Sequence, residues 1–176
     1  MPATDGPLLH FSEDPHIERF VPHVPATNPA HPPAVWAIDT EHAPLYWFPR
    51  DCPRVTVWAD DAAQRATLGR LLTTTARRVH AAELIWLPAI RAVELFADEL
   101  PPATFRPWPE ADGQWISDVT VEPIAVQPVG DLLDRHAAAG IELRLVPDLW
   151  PLHGAVVASG LPFSIVRMHN AGGRAH

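Results

Sequence analysis

Residues 8–15 read LLHFSEDP, a short apolar run that leads into polar side chains and stops at a proline. The start of this run has the length and composition of a β-strand, and Pro15 ends it because proline lacks a backbone amide donor. His10, Ser12 and Glu13 therefore lie at or just beyond the end of a predicted strand. Polar groups gathered at a strand end are typical of a ligand site, whereas core positions are mostly apolar. This stretch is the predicted first strand and the first part of a candidate site.

The rest of the chain predicts more strands than helices. Apolar or alternating runs predict strands at 34–38, 54–58, 92–96, 114–117, 120–126, 141–146 and 163–168. Helices are predicted over 41–47, 84–90, 130–139 and 149–159. A further helix is predicted to begin at Asp60 or Asp61. Its buried face would be made by Leu68, Leu71, Leu72, Ala76 and Val79. The proline-rich segment 21–34 is predicted to be a long extended loop.

These elements predict an α+β fold with a mixed or antiparallel sheet and a few short helices, because the helices do not alternate regularly with the strands. A chain of 176 residues has the length of one domain. We expect that domain to span 8–171, with 1–7 and 172–176 as loose termini.

Composition limits the classes of function. The formal net charge is −8, so the chain lacks the basic surface that duplex nucleic acid binding requires. All 13 basic residues are arginine, which excludes a Schiff-base lysine. The single cysteine cannot form an internal disulfide. No apolar run approaches the roughly 20 residues of a membrane span, and no secretory pattern opens the chain. We expect a cytoplasmic protein without a membrane partner.

Motifs for metal and phosphate binding are lacking in the sequence. Ten histidines are present, but neither an HExxH nor a CxxC motif occurs, and we predict no metal site. His10 and His42, together with an acidic residue, are the one combination that could form a metal site. No GxGxxG motif or P-loop occurs. Arg50 and Arg54 flank Cys52 and could hold a phosphate or lower the pKa of the thiol, although a lone cysteine before a strand is more often a buried apolar residue.

Several tryptophans lie beside polar residues. Trp36, in an apolar run, is most simply explained as core. Tyr46 with its neighbouring tryptophan, and Trp115 with Ser117, lie at the ends of predicted elements. Aromatic rings in such places can stack on a planar ring such as a base or a pyridine. Core packing is the alternative explanation.

Three groups of motifs point to a family. They are HFSEDP at 10–15, VWAID at 35–39 continuing into EHAPLYWFPRDCPR at 41–54, and WIS at 115–117 with VEP at 121–123. Together they resemble a family of small bacterial proteins described only as a domain of unknown function. The likeness covers most of the chain from residue 8 to 171, and it implies no activity.

A weaker likeness is to the ADP-ribosyltransferase-like fold, in which a first strand ends in a His-x-Ser/Thr pattern. In that superfamily the first-strand histidine hydrogen-bonds the dinucleotide, and an aromatic side chain packs on the nicotinamide. The resemblance implies the first role for His10 with Ser12 and the second for Tyr46. Glu122 and Asp118 are the nearby candidates for the late-strand acid, and Arg50 or Arg54 could replace an acid. Phe11 stands where these proteins usually have glycine, and Ser117 occupies the region of the usual glutamate.

The resulting hypothesis is a nucleotide-type ligand, with NAD as the leading candidate, bound by an ADP-ribosyltransferase-like domain that could act as an NAD-dependent transferase. The predicted catalytic residues are His10, Tyr46 and Glu122, and the predicted ligand-binding residues are Ser12, Glu13, Trp36, Asp39, His42, Arg50, Arg54, Trp115 and Ser117. A non-catalytic binding module and a structural protein are the alternatives. Under these two alternatives, Glu13, Asp39 and His42 could cap local turns.

Overall fold

The computed structural model describes residues 6–25 and 29–173. Its strands are β1 (Leu8–Ser12), β2 (Val35–Ile38), β3 (Arg54–Trp58), β4 (Arg78–Glu83), β5 (Phe96–Leu100), β6 (Arg106–Pro107), β7 (Gln114–Ser117), β8 (Ala125–Pro128), β9 (Glu142–Val146) and β10 (Phe163–Val166). Its α-helices are α1 (Ala62–Leu72), α2 (Leu87–Ala92), α3 (Leu132–Ala138) and α4 (Trp150–Val157). Short 3₁₀ helices cover Ala43–Tyr46, Leu84–Trp86, Pro102–Thr104 and Met168–Asn170. The predicted loose termini lie largely outside the described residues.

The α+β prediction is confirmed, because the described residues form a six-stranded and a four-stranded sheet with short helices. The chain divides into two compact units. The first unit comprises 1–47 and 94–129, and the second comprises 48–93 and 130–176. The domain limits predicted at residues 8 and 171 stay predictions.

The first unit contains the six-stranded sheet, in the order β6-β7-β2-β1-β5-β8. Every pairing within it is antiparallel. The motif strand β1 lies in the interior of this sheet, between β2 and β5. One sheet face is covered by an apolar core made of Leu8, Phe20, Val35, Ala37, Leu100, Phe105, Trp115 and Val121.

The proline-rich connection between β1 and β2 is anchored at two points. Phe20 forms a backbone bridge with Val121, and His23 forms one with Ala34. Its described part contains no helix and no longer strand, as predicted for a segment short of amide donors. The Phe20 side chain packs against the core of the first unit.

The second unit contains the four-stranded sheet, in the order β10-β3-β4-β9. Strands β4 and β9 are parallel and the other pairs are antiparallel, so this sheet is mixed. Helices α1 and α4 contact β3. The core of this unit includes Val55, Val57, Leu68, Val79, Leu149 and Val156.

Two predictions about the elements of the second unit are wrong. Helix α1 begins after Asp61, whose Oδ1 accepts a hydrogen bond from Gln64 N at 2.8 Å, but it ends at Leu72. Thr73 then takes a left-handed conformation, so Ala76 and Val79 do not continue the helical face. Val79 belongs to β4, a strand that the sequence pattern did not reveal. Five of the six residues of β4 are buried, including the polar His80 and Glu83, so its polar residues do not mark a solvent-facing side.

Candidate functional site

A pocket of about 130 Å³ opens on one face of the six-stranded sheet, within the first unit. Eight residues line it: Leu9, His10, Phe11, Trp36, Ala37, Ile38, Tyr46 and Gln114. The first six of these come from β1 and β2, so the predicted motif strand forms part of the wall. Tyr46 ends the 3₁₀ helix that follows β2, and Gln114 begins β7.

The pocket results from the pleat of β1 and β2. Leu9 pairs with Ile38, which places His10 opposite Ala37 at the next position of the antiparallel register. Side chains alternate between the two faces of a sheet, so Leu9 and Ile38 point to the pocket face while His10 and Ala37 point away. The backbone of the His10–Ala37 pair therefore forms the floor. The side chains of the flanking positions surround it.

Two aromatic rings form one wall of the pocket. The rings of Phe11 and Tyr46 are parallel, with planes 1° apart and centroids 6.2 Å apart. The Tyr46 hydroxyl accepts a hydrogen bond from Gln114 Nε2 at 2.6 Å, which fixes the orientation of both groups. A flat ligand ring can lie along such a wall, because offset-parallel aromatic contacts are favourable.

The 3₁₀ helix that carries Tyr46 is held by a local carboxylate. Asp39 Oδ1 accepts from the backbone N of His42 at 2.8 Å and lies 2.8 Å from His42 Nδ1. Burial opposes ionisation of Asp39, but the bonds from the His42 side chain and backbone outweigh it and lower the pKa of Asp39. Asp39 and His42 thus cap the turn after β2, which is the structural alternative considered from the sequence. Neither lines the pocket.

The polar character of the pocket comes from neutral groups. Among the eight lining residues there is no arginine, aspartate or glutamate. Trp36 Nε1 is buried and has no hydrogen-bond partner within the described part of the chain. The Trp36 ring also packs on the rings of His31 and Trp108, with centroid distances of 4.9 and 5.6 Å, and these contacts restrict its orientation. A buried donor without an acceptor costs about 1–3 kcal/mol.

The imidazole of His10 lies on the opposite face of the sheet from Tyr46. His10 pairs with Asp98 across β1 and β5, and its Nδ1 lies 3.5 Å from Asp98 Oδ2. Asp98 is fully buried, and the His10 ring packs on Phe20 at 4.5 Å. The structure therefore brings the backbone of His10 to the pocket, but it does not bring the ring of His10 together with Tyr46.

Three other predicted residues share the His10 face. Ser12 is buried and its Oγ accepts from Asp14 N at 2.9 Å, so it holds the turn after β1. Trp115 belongs to the apolar core, and Ser117 Oγ donates to Thr104 Oγ1 at 3.0 Å. These contacts stabilise the fold, and none of the three residues lines the pocket. Of the residues predicted from the sequence, Trp36 and Tyr46 present side chains to the pocket and His10 presents its backbone.

The remaining predicted residues lie elsewhere. Glu13 and Glu122 are exposed residues of the first unit, and Arg50 is an exposed residue of the second. Arg54, also in the second unit, is buried. Its guanidinium donates to Cys52 O at 3.1 Å and lies 5.4 Å from the centre of the Phe48 ring. Burial raises the pKa of the Cys52 thiol to about 12, although Arg54 lowers it, so the suggested activation of this thiol is wrong.

Sequence reasoning missed a pair of buried histidines in the second unit. His80 Nδ1 lies 3.0 Å from His136 Nε2, and His136 Nδ1 lies 2.7 Å from Leu132 O. Since a carbonyl can only accept, His136 donates from Nδ1 and accepts at Nε2, and His80 donates from Nδ1. Burial lowers the pKa of both imidazoles, which favours their neutral forms. The two residues are 56 positions apart, so no local motif could reveal them.

The described residues contain no group of three or more histidine, cysteine or acidic side chains arranged to hold a metal ion. His10 and His42 each pair with a different aspartate, Asp98 and Asp39 respectively.

Comparison with known proteins identifies the family of the chain. The model of a family of unknown function, DUF6886, matches residues 9–171. No curated protein matches the chain, and no solved structure matches it. The resemblance to ADP-ribosyltransferases is thus without support from relatives. Within the described residues, no helix has both the length and the apolar character needed to cross a bilayer.

Proposed function

The chain belongs to the family of unknown function DUF6886, and for this member we propose binding of one planar ring of a nucleotide-type ligand in the β1–β2 pocket. The observation that carries the proposal is the combination of three aromatic side chains, Phe11, Trp36 and Tyr46, around a single small pocket.

The size of the pocket favours one ring. A dry cavity of roughly 150 Å³ is large enough for benzene, whereas pockets that enclose a drug-sized ligand span about 300–1,000 Å³. The volume here is about 130 Å³. A six-membered ring can therefore enter, while a sugar and its phosphates would remain outside. The nicotinamide ring of NAD is the leading candidate, and the pyrimidine bases are of similar size.

The charge of the lining favours a base or pyridine over a phosphate. Recognition of phosphate commonly uses arginine, lysine or a row of backbone amides. Arginine is not among the eight lining residues, and the chain has no lysine. Stacking on aromatic side chains contributes about 1–3 kcal/mol per base and needs no charge. The affinity would come from the ring rather than from the phosphates.

A binding role has more support than an NAD-dependent transfer reaction. Cleavage of a nicotinamide–ribose bond develops positive charge on the sugar, and a nearby carboxylate stabilises that charge. No carboxylate belongs to the eight lining residues, and Glu122 is exposed. The ring of His10 is engaged on the opposite sheet face. We therefore propose a non-catalytic binding module, with the oligomeric state left open.

Isothermal titration calorimetry with three ligands tests this function. Nicotinamide and uridine contain a planar ring, whereas ribose 5-phosphate contains only the sugar and phosphate. We expect saturable binding of at least one ring ligand and none of ribose 5-phosphate. Tyr46→Ala should weaken ring binding, while Phe163→Ala, which removes an exposed aromatic from β10, should not. Binding of ribose 5-phosphate alone would overturn the proposal. In a separate incubation with NAD, release of nicotinamide would instead establish the transferase.

A further inference from the structure

We propose that three residues outside the pocket set the place of the Tyr46 ring and thereby the affinity of the pocket for a planar ligand. These positioning residues are Asp39, His42 and Gly113, and none of them lines the pocket. Each acts through Tyr46, which does line it. The inference rests on the proposed function, because the pocket concerned is the one assigned to a ring ligand.

Asp39 holds the turn that leads to Tyr46. The backbone N of His42 donates to Asp39 Oδ1 at 2.8 Å, and the same oxygen lies 2.8 Å from His42 Nδ1. Short acidic side chains stabilise turns in this way, by accepting from backbone amides a few residues further on. His42 O then accepts from Leu45 N at 3.0 Å, within the 3₁₀ helix that ends at Tyr46. A chain of hydrogen bonds therefore runs from Asp39 to the helix that carries the tyrosine.

Gly113 joins this turn to the start of β7. Its carbonyl oxygen accepts from Asp39 N at 2.9 Å. Its φ is +76°, a backbone conformation that favours glycine, and an added Cβ would overlap the His42 ring. The absence of a side chain at position 113 thus lets the imidazole lie directly against the backbone that precedes Gln114.

Gln114 completes the support of the tyrosine. It follows Gly113 in the chain, and its Nε2 donates to the Tyr46 hydroxyl at 2.6 Å. Tyr46 is therefore held at both ends, at its backbone by the turn and at its hydroxyl by Gln114. The two supports are joined by the hydrogen bond between Asp39 and Gly113.

A ring that is held in place before the ligand arrives raises the affinity. The Tyr46 ring is parallel to that of Phe11, with the centroids 6.2 Å apart. When a binding-competent arrangement is only partly populated, the apparent affinity falls in proportion to that population. Loss of the Asp39 carboxylate should therefore weaken ring binding by about 2- to 30-fold, the range that corresponds to the loss of a capping side chain.

Tyrosine NMR tests the positioning without any ligand. Tyr46 is the only tyrosine of the chain, so ¹³C-labelled tyrosine gives one set of ring signals. We expect Asp39→Ala to shift or broaden these signals. Asp39→Asn should restore them, because asparagine also accepts from a backbone amide.

Asp131→Ala is the matched control. Asp131 lies in the second unit, and its Oδ1 accepts from Leu133 N and Asp134 N at 2.9 Å. The variant removes a capping aspartate of the same kind, so it should destabilise the protein to a similar degree. It should leave the Tyr46 signals and the affinity unchanged.

Calorimetric titration with nicotinamide and with uridine measures the effect on affinity. Asp39→Ala should weaken binding of the ring ligand in the wild-type background. In a Tyr46→Leu background the additional loss from Asp39→Ala should disappear, because the effect passes through the tyrosine ring. Should Asp39→Ala not fold, His42→Ala takes its place, since it removes only the imidazole contacts and keeps the backbone bond to Asp39.

Two results would contradict the positioning while leaving ring binding intact. One is a set of Tyr46 signals in Asp39→Ala identical to that of the unchanged protein. The other is an equal loss of affinity from Asp39→Ala with and without the Tyr46 ring. Failure of both ligands to bind the unchanged protein would instead overturn ring binding, and the tyrosine spectra would still decide whether Asp39 places Tyr46.

Discussion

Phe11 and Tyr46 lie 35 positions apart in the sequence, yet their rings are parallel to within 1°, with centroids 6.2 Å apart. One ring projects from β1 and the other from the 3₁₀ helix after β2. Since both residues line the pocket, replacing either of them with a non-aromatic residue should weaken binding of a planar ligand.

We expect Phe11→Leu and Tyr46→Leu each to weaken ring binding by about 5- to 150-fold, because a lost aromatic stack removes about 1–3 kcal/mol. Leucine retains apolar bulk, so the fold should survive. Titration calorimetry with nicotinamide or uridine measures the change. Tyr46→Phe is the matched control, since the ring remains and only the hydroxyl is lost. A loss in Tyr46→Phe as large as in Tyr46→Leu would assign the effect to the hydroxyl instead.

The position of the His10 ring gives a second prediction. His10→Phe removes the partner of the buried Asp98 carboxylate but retains a ring beside Phe20. The free energy of unfolding should fall by about 1–3 kcal/mol, because Asp98 is left unpaired. Ligand affinity should stay within about twofold, since the imidazole lies outside the pocket. Urea unfolding and calorimetry measure the two quantities.

Stability should recover in part when the Asp98 carboxylate is removed as well. In the double variant His10→Phe with Asp98→Leu, position 98 no longer carries a buried carboxyl group that has lost its His10 partner. A large loss of ligand affinity in His10→Phe, without a matching loss of stability, would place the imidazole in the site.

Gly113 offers a test of the turn that positions Gln114. Its φ is +76°, and an added Cβ would overlap the ring of His42. Gly130 has a similar φ of +84° but open space around the same position. Gly113→Ala should therefore lower the free energy of unfolding more than Gly130→Ala, by about 1–3 kcal/mol, because only the first adds a steric clash. Thermal or urea unfolding measures both, and equal losses would contradict the overlap.

The buried histidine pair predicts an acid-sensitive fold. The pKa values of His80 and His136 are lowered by burial from an unfolded value of about 6.5. The unfolded chain then takes up protons first as the pH falls. The contribution of the two neutral imidazoles to the free energy of unfolding is therefore fully present above pH 6.5. It is lost below that pH, by up to about 1.4 kcal/mol per pH unit for each imidazole.

Urea unfolding at pH 7.5, 6.5 and 5.5 measures that loss. Replacing both residues, as His80→Phe with His136→Leu, should flatten the dependence on pH. His16→Gln changes an exposed histidine and should leave the slope unchanged. A slope in the double variant equal to that of the unchanged protein would show that other groups cause the acid sensitivity.

The sequence predicted the bounds of some elements and misplaced others, because β5 begins at Phe96 and β8 at Ala125, later than the runs predicted at 92–96 and 120–126. Strands β1, β3 and β7 have the predicted bounds, and Asp61 begins α1 as expected. Strand β4 was missed because its first residues extended the apparent helical spacing after α1.

The candidate site was predicted only in part, because the sequence does not reveal which face of a sheet a residue occupies. Tyr46 was identified as an aromatic beside polar residues, whereas Trp36 was most simply explained as core although it was also a candidate ligand-binding residue, and both line the pocket. His10 was assigned to the same site, but the pleat turns its ring to Asp98, which lies 88 positions away. Gln114 joins the pocket through a register between β2 and β7 that only the folded sheet reveals.

The most direct test of ring binding in this pocket is the indole N–H region of a ¹⁵N-resolved NMR spectrum. The chain has seven tryptophans, and the missing signal of Trp36→Phe identifies the one that lines the pocket. On titration with nicotinamide or uracil, the account predicts a saturable shift of the Trp36 signal, with smaller changes at Trp108 beside it. Shifts confined to other indoles, or a spectrum unchanged by any planar ligand, would contradict the account.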